Sequence, residues 1–196
     1  MAKIQVSRNI SRNDVILKCA AGLFRKKGFR ATSMRELAEV LGIEAPSLYN
    51  HIGSKSELLQ NICLNIARQF TIHIERLETS EFTATKKIEK LIRFHIQIML
   101  KSFDEVFVAN HEWKQLPEPF LNDFLSQRKA YETQMVQFVK DGINSGEFRK
   151  IHPQVTVLTI LSAVRGLEFW QKHKGQVNTK ALENNIVQHL IKGITV

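Results

Sequence analysis

Apolar residues recur at intervals of three and four through most of this chain, so the pattern is helical nearly throughout. In the first third, Ile16, Ala20, Leu23 and Phe24, then Leu37, Ala38 and Leu41, then Leu48 and Ile52 keep that spacing and can close a small core. Three Ser-x-x-acid capping boxes, Ser11 to Asp14, Ser33 to Glu36 and Ser54 to Glu57, each precede such a run and mark helix starts. Gly28 and Gly42 supply stops, and Pro46 suits a first helical turn, where its missing N–H is not needed. The spacing predicts helices near 12–27, 34–41, 46–52 and 55–77. Longer ones follow near 85–101, 104–112, 118–145, 153–174 and 178–193, separated by Pro117, Pro119, Gly146 and Gly175. No alternating strand pattern competes, and the expected fold class is all-α, a small three-helix unit over residues 1–54 and a larger helical domain over 55–196.

Composition narrows the picture. With 196 residues, 43% of them hydrophobic, and only four prolines, the chain can bury a real core. Its two cysteines, Cys19 and Cys63, form no CxxC or Cys/His cluster, which argues against a disulfide framework or a zinc site and fits a reducing cytoplasm. The longest uncharged apolar region, around Val155 to Val164, is about half the roughly 20 residues of a membrane span, and no signal-peptide core is present. The expectation is a cytoplasmic protein with no membrane partner. Net charge is +9, of which residues 1–55 carry +6, through ten Lys/Arg against four acids. A basic front end suits a polyanion, although a basic face is also the commonest kind of solvated surface.

The helix near 34–41, a short turn centred on Gly42 and the helix near 46–52 have the lengths of a helix-turn-helix, in which the second helix enters the major groove. That second helix buries little besides Leu48 and Ile52, and seven residues are too few for propensity alone to hold it. Ser47, Tyr49, Asn50 and His51 cannot all point inward, so most of them face solvent or a partner. Thr32, Ser33 and Arg35 at the start of the preceding helix, and Lys55 at the start of the following one, flank the groove where phosphates would lie. Taken singly, Tyr49 is equally well read as a half-buried cap, His51 as a surface residue and Lys55 as a solvated first-turn lysine. Their fixed offsets within one helix-turn-helix favour DNA. The N-terminal arm, with Lys3 and Arg8, is either a minor-groove contact or a tail.

The stretch "ILKCAAGLFRKKGFRATSMRELAEVLGIEAPSLYNHIGSKSELL" resembles, without gaps from about Val15 to Leu59, the DNA-binding domain of the tetracycline-repressor (TetR) family of bacterial transcription regulators. The likeness lies in G-F-x-x-T-S, in L-A-x-x-L-G, and in L-Y-x-H followed by S-K-x-E-L-L. It implies that Arg35, Ala45, Pro46, Ser47, Tyr49, Asn50 and His51 face DNA, and that Thr32, Ser33, Tyr49, His51 and Lys55 mostly meet phosphates. Two positions depart from the family pattern. Ala45 is apolar where some relatives carry a polar base-reader, which leaves the operator sequence open, and Ile52 replaces a frequent aromatic, a matter of core packing.

Beyond residue 78 the family resemblance is weaker. Phe120, Phe124, Tyr131, Met135 and Phe138 form a stripe on one predicted helix with Arg128 beside it, and His95 sits among Ile88, Leu91, Ile92 and Met99 on another. Each of these positions reads equally as ordinary core. The resemblance implies a small-molecule pocket among these helices, for which His95, Phe103, Phe107, His111 and Trp113, with Phe124, Arg128, Tyr131 and Trp170, are the candidates. "RKAYETQMVQFVKDGINSGEF" is also similar to regulators of fatty-acid and sterol breakdown that respond to acyl-CoA thioesters, so a fatty acid or acyl-CoA effector is expected. The last two helices resemble the family's dimerisation element: Thr159, Ser162, Ala163 and Gly166 permit close helix approach, and Leu182, Ile186 and Leu190 give an apolar face.

The chain is thus expected to pair an N-terminal helix-turn-helix domain with a C-terminal helical ligand-binding and dimerisation domain. Its expected function is that of a homodimeric, ligand-responsive transcriptional repressor on a palindromic double-stranded DNA operator, released by a small apolar or acyl-bearing effector. The competing readings are a small-molecule carrier and a nonspecific DNA-binding protein. No enzyme motif is present: P-loop, G-x-G-x-x-G and H-E-x-x-H are absent, and "GINSG" has Asn where a nucleophile elbow needs Ser. No catalytic residue, metal or cofactor is expected.

Overall fold

The computed structural model describes residues 11–170 and 178–196. Lys3 and Arg8, and the end of the helix expected to reach residue 174, lie outside the described residues. The elements are α1 (Arg12–Lys27), α2 (Met34–Leu41), α3 (Ala45–Tyr49), α4 (Lys55–Glu78), α5 (Ala84–Lys101), α6 (Phe103–His111), a 3-10 turn (Trp113–Gln115), α7 (Phe120–Asn144), α8 (Pro153–Arg165), α9 (Leu167–Trp170) and α10 (Thr179–Ile194). Among the described residues β pairing is confined to an isolated antiparallel bridge between Phe148 and Thr195, and the fold class is all-α as expected.

Local chemistry set these boundaries as the sequence suggested. The Asp14, Glu36 and Glu57 N–H groups each donate to the capping Ser three residues earlier at 3.1 Å. Glu57 also reaches back to accept from the N–H of Gly53, the residue before the cap, at 2.8 Å. Gly42 ends α2 at φ +68°, and the Ile43 N–H closes onto the Ala38 carbonyl at 3.0 Å. Two expectations shift. Helix α3 is five residues long, ending in a turn in which the His51 and Ile52 N–H groups share the Leu48 carbonyl. The helix expected over 153–174 stops at Arg165, and Gly166, a poor helix former, separates it from the single turn of α9.

Contacts divide the chain into two units, each compact. The first holds the described residues up to Ile66 together with Asp104–Phe124; the second holds Ala67–Phe103 and Leu125 onward. The cuts fall inside α4, at the start of α6 and inside α7. In the first unit Ile16, Phe24, Leu37, Leu48, Ile52, Leu58 and Leu59 are all buried. Leu41, expected with them, is only half-buried. Val106, Val108 and Ala109 of α6 are buried in the same unit.

In the second unit α5 is central, packing on α8, α9 and α10 through buried Ile88, Leu91, Ile92, Ile96 and Met99. A polar seam joins α5 to α10: Arg93 donates to Glu89 at 2.8 Å and to Glu183 and Asn184 at 3.0 Å, and Gln97 donates to Glu183 at 3.1 Å. Gly142 leaves room for the Phe148 ring, which a Cβ there would meet at 2.2 Å.

The loop after α7 caps α5. The Glu147 carboxylate accepts from the backbone N–H of Ala84 at 3.1 Å and of Thr85 at 2.9 Å, and from the Ser145 hydroxyl at 3.1 Å. Burial by itself raises this carboxyl, but the bonds from Thr85, Ala84 and Ser145 outweigh it and hold its pKa at about 2, against an ordinary 4.5. The stability it contributes is therefore fully present above pH 4.5 and is lost as pH falls toward 2. Glu147→Gln is expected to lower Tm at pH 7 and to flatten the fall in Tm between pH 4.5 and 2 relative to wild type. A wild-type slope in thermal unfolding across that interval would count against this role.

Candidate nucleic-acid interface and effector site

The exposed side chains around α3 follow from its shortness. Only Leu48 of the helix itself is buried, joined by Ile52 after it, and these two tie α3 to the first unit's core. Tyr49 is left 51% exposed, and Asn50, His51 and Pro46 are exposed with it, while Ala45 and Ser47 are half-buried. Arg35 is exposed on α2, and the neighbouring Ser33, although its oxygen accepts the Glu36 N–H, keeps its own hydroxyl proton for a further partner. Of the basic residues nearby, Lys27 is paired with Glu36 and Arg25 with Asp104, whereas Arg35 forms no ion pair among the described residues. The result is a short helix presenting hydrogen-bonding side chains beside an uncompensated guanidinium and a helix N-terminus.

Two expected phosphate donors are engaged within the protein. Thr32 is only 3% exposed, and its hydroxyl donates to the Gly28 carbonyl at 3.0 Å. The Lys55 ammonium donates to the carbonyls of Thr32 at 2.7 Å, Phe29 at 2.9 Å and Arg30 at 3.2 Å, and lies 4.6 Å from the centre of the Phe29 ring. An ammonium has three N–H donors, so all of those on Lys55 are spent. In this structure both side chains fix the loop that leads into α2. For Lys55 the sequence could not reveal this, because its acceptors belong to residues 23 to 26 positions away, whereas the Thr32 acceptor, Gly28, is only four residues back.

The effector candidates fall into two groups, one in each unit. In the second unit the Tyr131 hydroxyl and His95 Nε2 are 2.9 Å apart. The Phe70 ring packs against both, at 4.6 Å from His95 and 5.4 Å from Tyr131. Phe94 stands edge-on to Phe70 and stacks on His73 at 4.0 Å. Phe70, His73 and Phe94 were not among the expected residues; the signal that could have found them is an aromatic and a His three apart on one face of α4. Phe103, Arg128 and Trp170 of this unit are half-buried. In the first unit Phe107 stacks on His111 at 4.3 Å and Trp113 on Phe124 at 6.4 Å.

The cluster around Phe70 is electrically neutral. Burial, then the charge of Arg165 and the neighbouring His73, hold His95 down at about 3. Burial, then Lys90 and Arg76, hold His73 at about 4. Burial pushes the Tyr131 hydroxyl up, so it keeps its proton. His73 Nδ1 is buried with no hydrogen-bond partner, a site that a ligand acceptor or donor can satisfy. Among the described residues no group of three or more His, Cys, Asp and Glu is placed to hold a metal.

Residues 16–62 match the family model of bacterial regulatory proteins of the tetR family, and residues 81–194 match the tetracyclin repressor-like C-terminal domain. Along its whole length the chain is 24% identical to the HTH-type transcriptional repressor KstR2 of Mycolicibacterium smegmatis, spanning 96% of that protein. Its fold is similar to the solved ketosteroid transcriptional regulator KstR2 of Mycobacterium tuberculosis, with TM-score 0.88 and 21% identity over 99% of this chain and 100% of the other. It is also similar to AibR, solved with isovaleryl coenzyme A and operator DNA, with TM-score 0.79 and 23% identity over 92% of this chain and 98% of that one.

Lys55→Met keeps the stem over Phe29 and removes the three donors. Bonds from a charged donor contribute about 1.5–3 kcal/mol each when fully realised, and partial rehydration of the carbonyls reduces the total, so a loss of about 2 kcal/mol is expected in urea unfolding. A midpoint and slope identical to wild type would show that the ammonium does not hold this loop.

Proposed function

The chain belongs to the TetR family and is a DNA-binding transcriptional regulator, and we propose that it acts as a homodimeric repressor whose α3 reads a palindromic operator. The observation that carries this reading is the exposure of Tyr49 at the end of a helix too short to be retained for packing alone, and of Asn50 and His51 in the turn that follows it. Arg35 and Ser33 supply phosphate contacts beside it, and Ser47 and Asn50 are the hydrogen-bonding base readers. Residues 1–54 supply the operator contacts and 55–196 the effector and dimer contacts, with Asp104–Phe124 serving both through their place in the first unit.

Dimerisation is supported by α8 and α9. Val155, Leu158 and Phe169 are 56%, 62% and 73% exposed, interleaved with exposed Thr159, Ser162 and Ala163, a strip that a second copy would cover. Leu182, Ile186 and Leu190 of α10 are already half-buried within the chain, and its exposed positions Asn184, Gln188 and Lys192 are polar. In this reading α8 contributes the apolar part of the interface and α10 its rim.

The effector is an acyl-bearing molecule, in keeping with the isovaleryl coenzyme A bound to AibR. The neutral rings of Phe70, Phe94, His95 and Tyr131 suit an uncharged acyl or ring portion, and His73 Nδ1 offers it one polar partner. Binding there shifts the population away from the operator-competent state. The protein works in the cytoplasm; among the described residues no helix is long and apolar enough to cross a membrane.

In vitro selection from random duplexes is expected to yield a palindrome with half-sites about 10 bp apart or a multiple of that. Tyr49→Ala with Asn50→Ala should lower affinity for that operator by about a hundredfold, at one to three kcal/mol per lost contact, with unchanged circular dichroism. Selection that enriches no sequence would sink the reading. In sedimentation at micromolar concentration the wild type should be a dimer, and Leu158→Glu should shift it to monomer.

A further inference from the structure

Granted the operator-binding role proposed above, we infer that α6 and the 3-10 turn after it form a second anchor for the DNA-reading helices, with Glu112 as the principal positioning residue. This segment lies some 80 residues downstream of α1, yet it belongs to the same compact unit. Three of its side chains reach α1 or the loop between α1 and α2. Asp104 pairs with Arg25. The Glu112 carboxylate accepts the Phe29 N–H at 3.2 Å, and the Gln115 side-chain oxygen accepts the Arg30 Nε–H at 3.1 Å. Gly22 belongs to the same arrangement. A glycine inside a helix is disfavoured relative to alanine, but a Cβ at this position would come within 3.2 Å of Asp104 Oδ2, so the notch admits the start of α6.

The consequence is concentrated at Phe29. Its N–H is held by Glu112, and its carbonyl and ring are held by Lys55. The peptide is gripped from both sides, three residues before the Thr32 hydroxyl bond to Gly28 and four before Ser33 caps α2. Helix α2 packs on α3. Release of Glu112 frees one side of the loop that sets where α2 begins, and with it the placing of Arg35 and the recognition helix. Glu112 touches no DNA in this scheme; it positions the residues that do.

The sign of the effect separates positioning from electrostatics. Removing an acidic side chain from a DNA-binding protein strengthens binding when charge alone decides. Positioning demands the opposite for Glu112→Ala. If the competent fraction of each recognition unit falls to about a third, a dimer on a palindrome loses about tenfold in affinity. Glu112→Gln keeps an oxygen that accepts from the Phe29 N–H while removing the charge, and is expected to bind as tightly as wild type or tighter. Gln115→Ala should weaken binding in the same direction by a smaller factor.

The test uses the full-length protein and the operator that wild type selects in vitro, with affinity from fluorescence anisotropy and loop opening from hydrogen–deuterium exchange in peptides containing Phe29. Support is a weakened Glu112→Ala with faster exchange at Phe29, both restored in Glu112→Gln. Wild-type or tighter binding by Glu112→Ala overturns the inference, as does a Glu112→Gln as weak as the alanine variant. Either result leaves the operator-binding role standing if Tyr49→Ala with Asn50→Ala still loses affinity. Failure of wild type to select any operator removes that role, and this inference with it.

Discussion

The Lys55 ammonium, surrounded by the carbonyls of Phe29, Arg30 and Thr32, is the interaction on which the front of this molecule depends. Each of those carbonyls would otherwise point from an irregular loop with few partners of its own. One cation gathers all three, and the loop becomes a fixed lead into α2. The buried Thr32 and the Ser33 cap follow from that placement, and α2 in turn supports an α3 that has only Leu48 and Ile52 to hold it. A five-residue helix is not an independent element; it is a shape imposed by its neighbours. That imposition leaves Tyr49, Asn50 and His51 outward, where a helix stabilised by its own packing would have turned some of them in.

What was legible in the sequence is what is decided within a few residues. The capping serines act three positions ahead, Gly42 acts on the turn it ends, and the apolar period fixes which face of α1, α2 and α5 is inward, so these features were found with their boundaries. Helix α8 was read too long because one glycine against a strongly apolar run is a weak local signal, yet Gly166 ends it. Partners distant along the chain were not legible. Residue type and offset suit Lys55 to a phosphate, while the carbonyls of Phe29, Arg30 and Thr32 that it binds carry no mark in the sequence. The grouping of this segment with α1 rests on Asp104 in α6 and on Glu112 and Gln115 just after it, ordinary polar residues until their partners are known.

The two units differ in how they treat charge. Around α3 the polar groups are exposed and Arg35 is left uncompensated, an arrangement that gains from a polyanion. In the second unit His73, His95 and Tyr131 are all held neutral by burial at physiological pH, and the rings of Phe70 and Phe94 pack against them. A neutral polar site inside apolar walls discriminates by hydrogen-bond direction and shape more than by charge. The expectation of an acyl-bearing effector accords with such surroundings, since a thioester carbonyl offers an acceptor without a charge to desolvate.

Helices α4 and α7 each run through the division between the units, and α6 returns to the first unit after the chain has left it. The compact unit that holds α2 and α3 is therefore not a contiguous piece of polypeptide. Exchanging residues 1–66 alone between regulators of this kind transplants the reading helices but leaves behind the helix that Arg25, Phe29 and Arg30 are bonded to. If Glu112 positions the reading helices as inferred above, a chimera that keeps its native specificity has to carry residues 104–124 from the same parent.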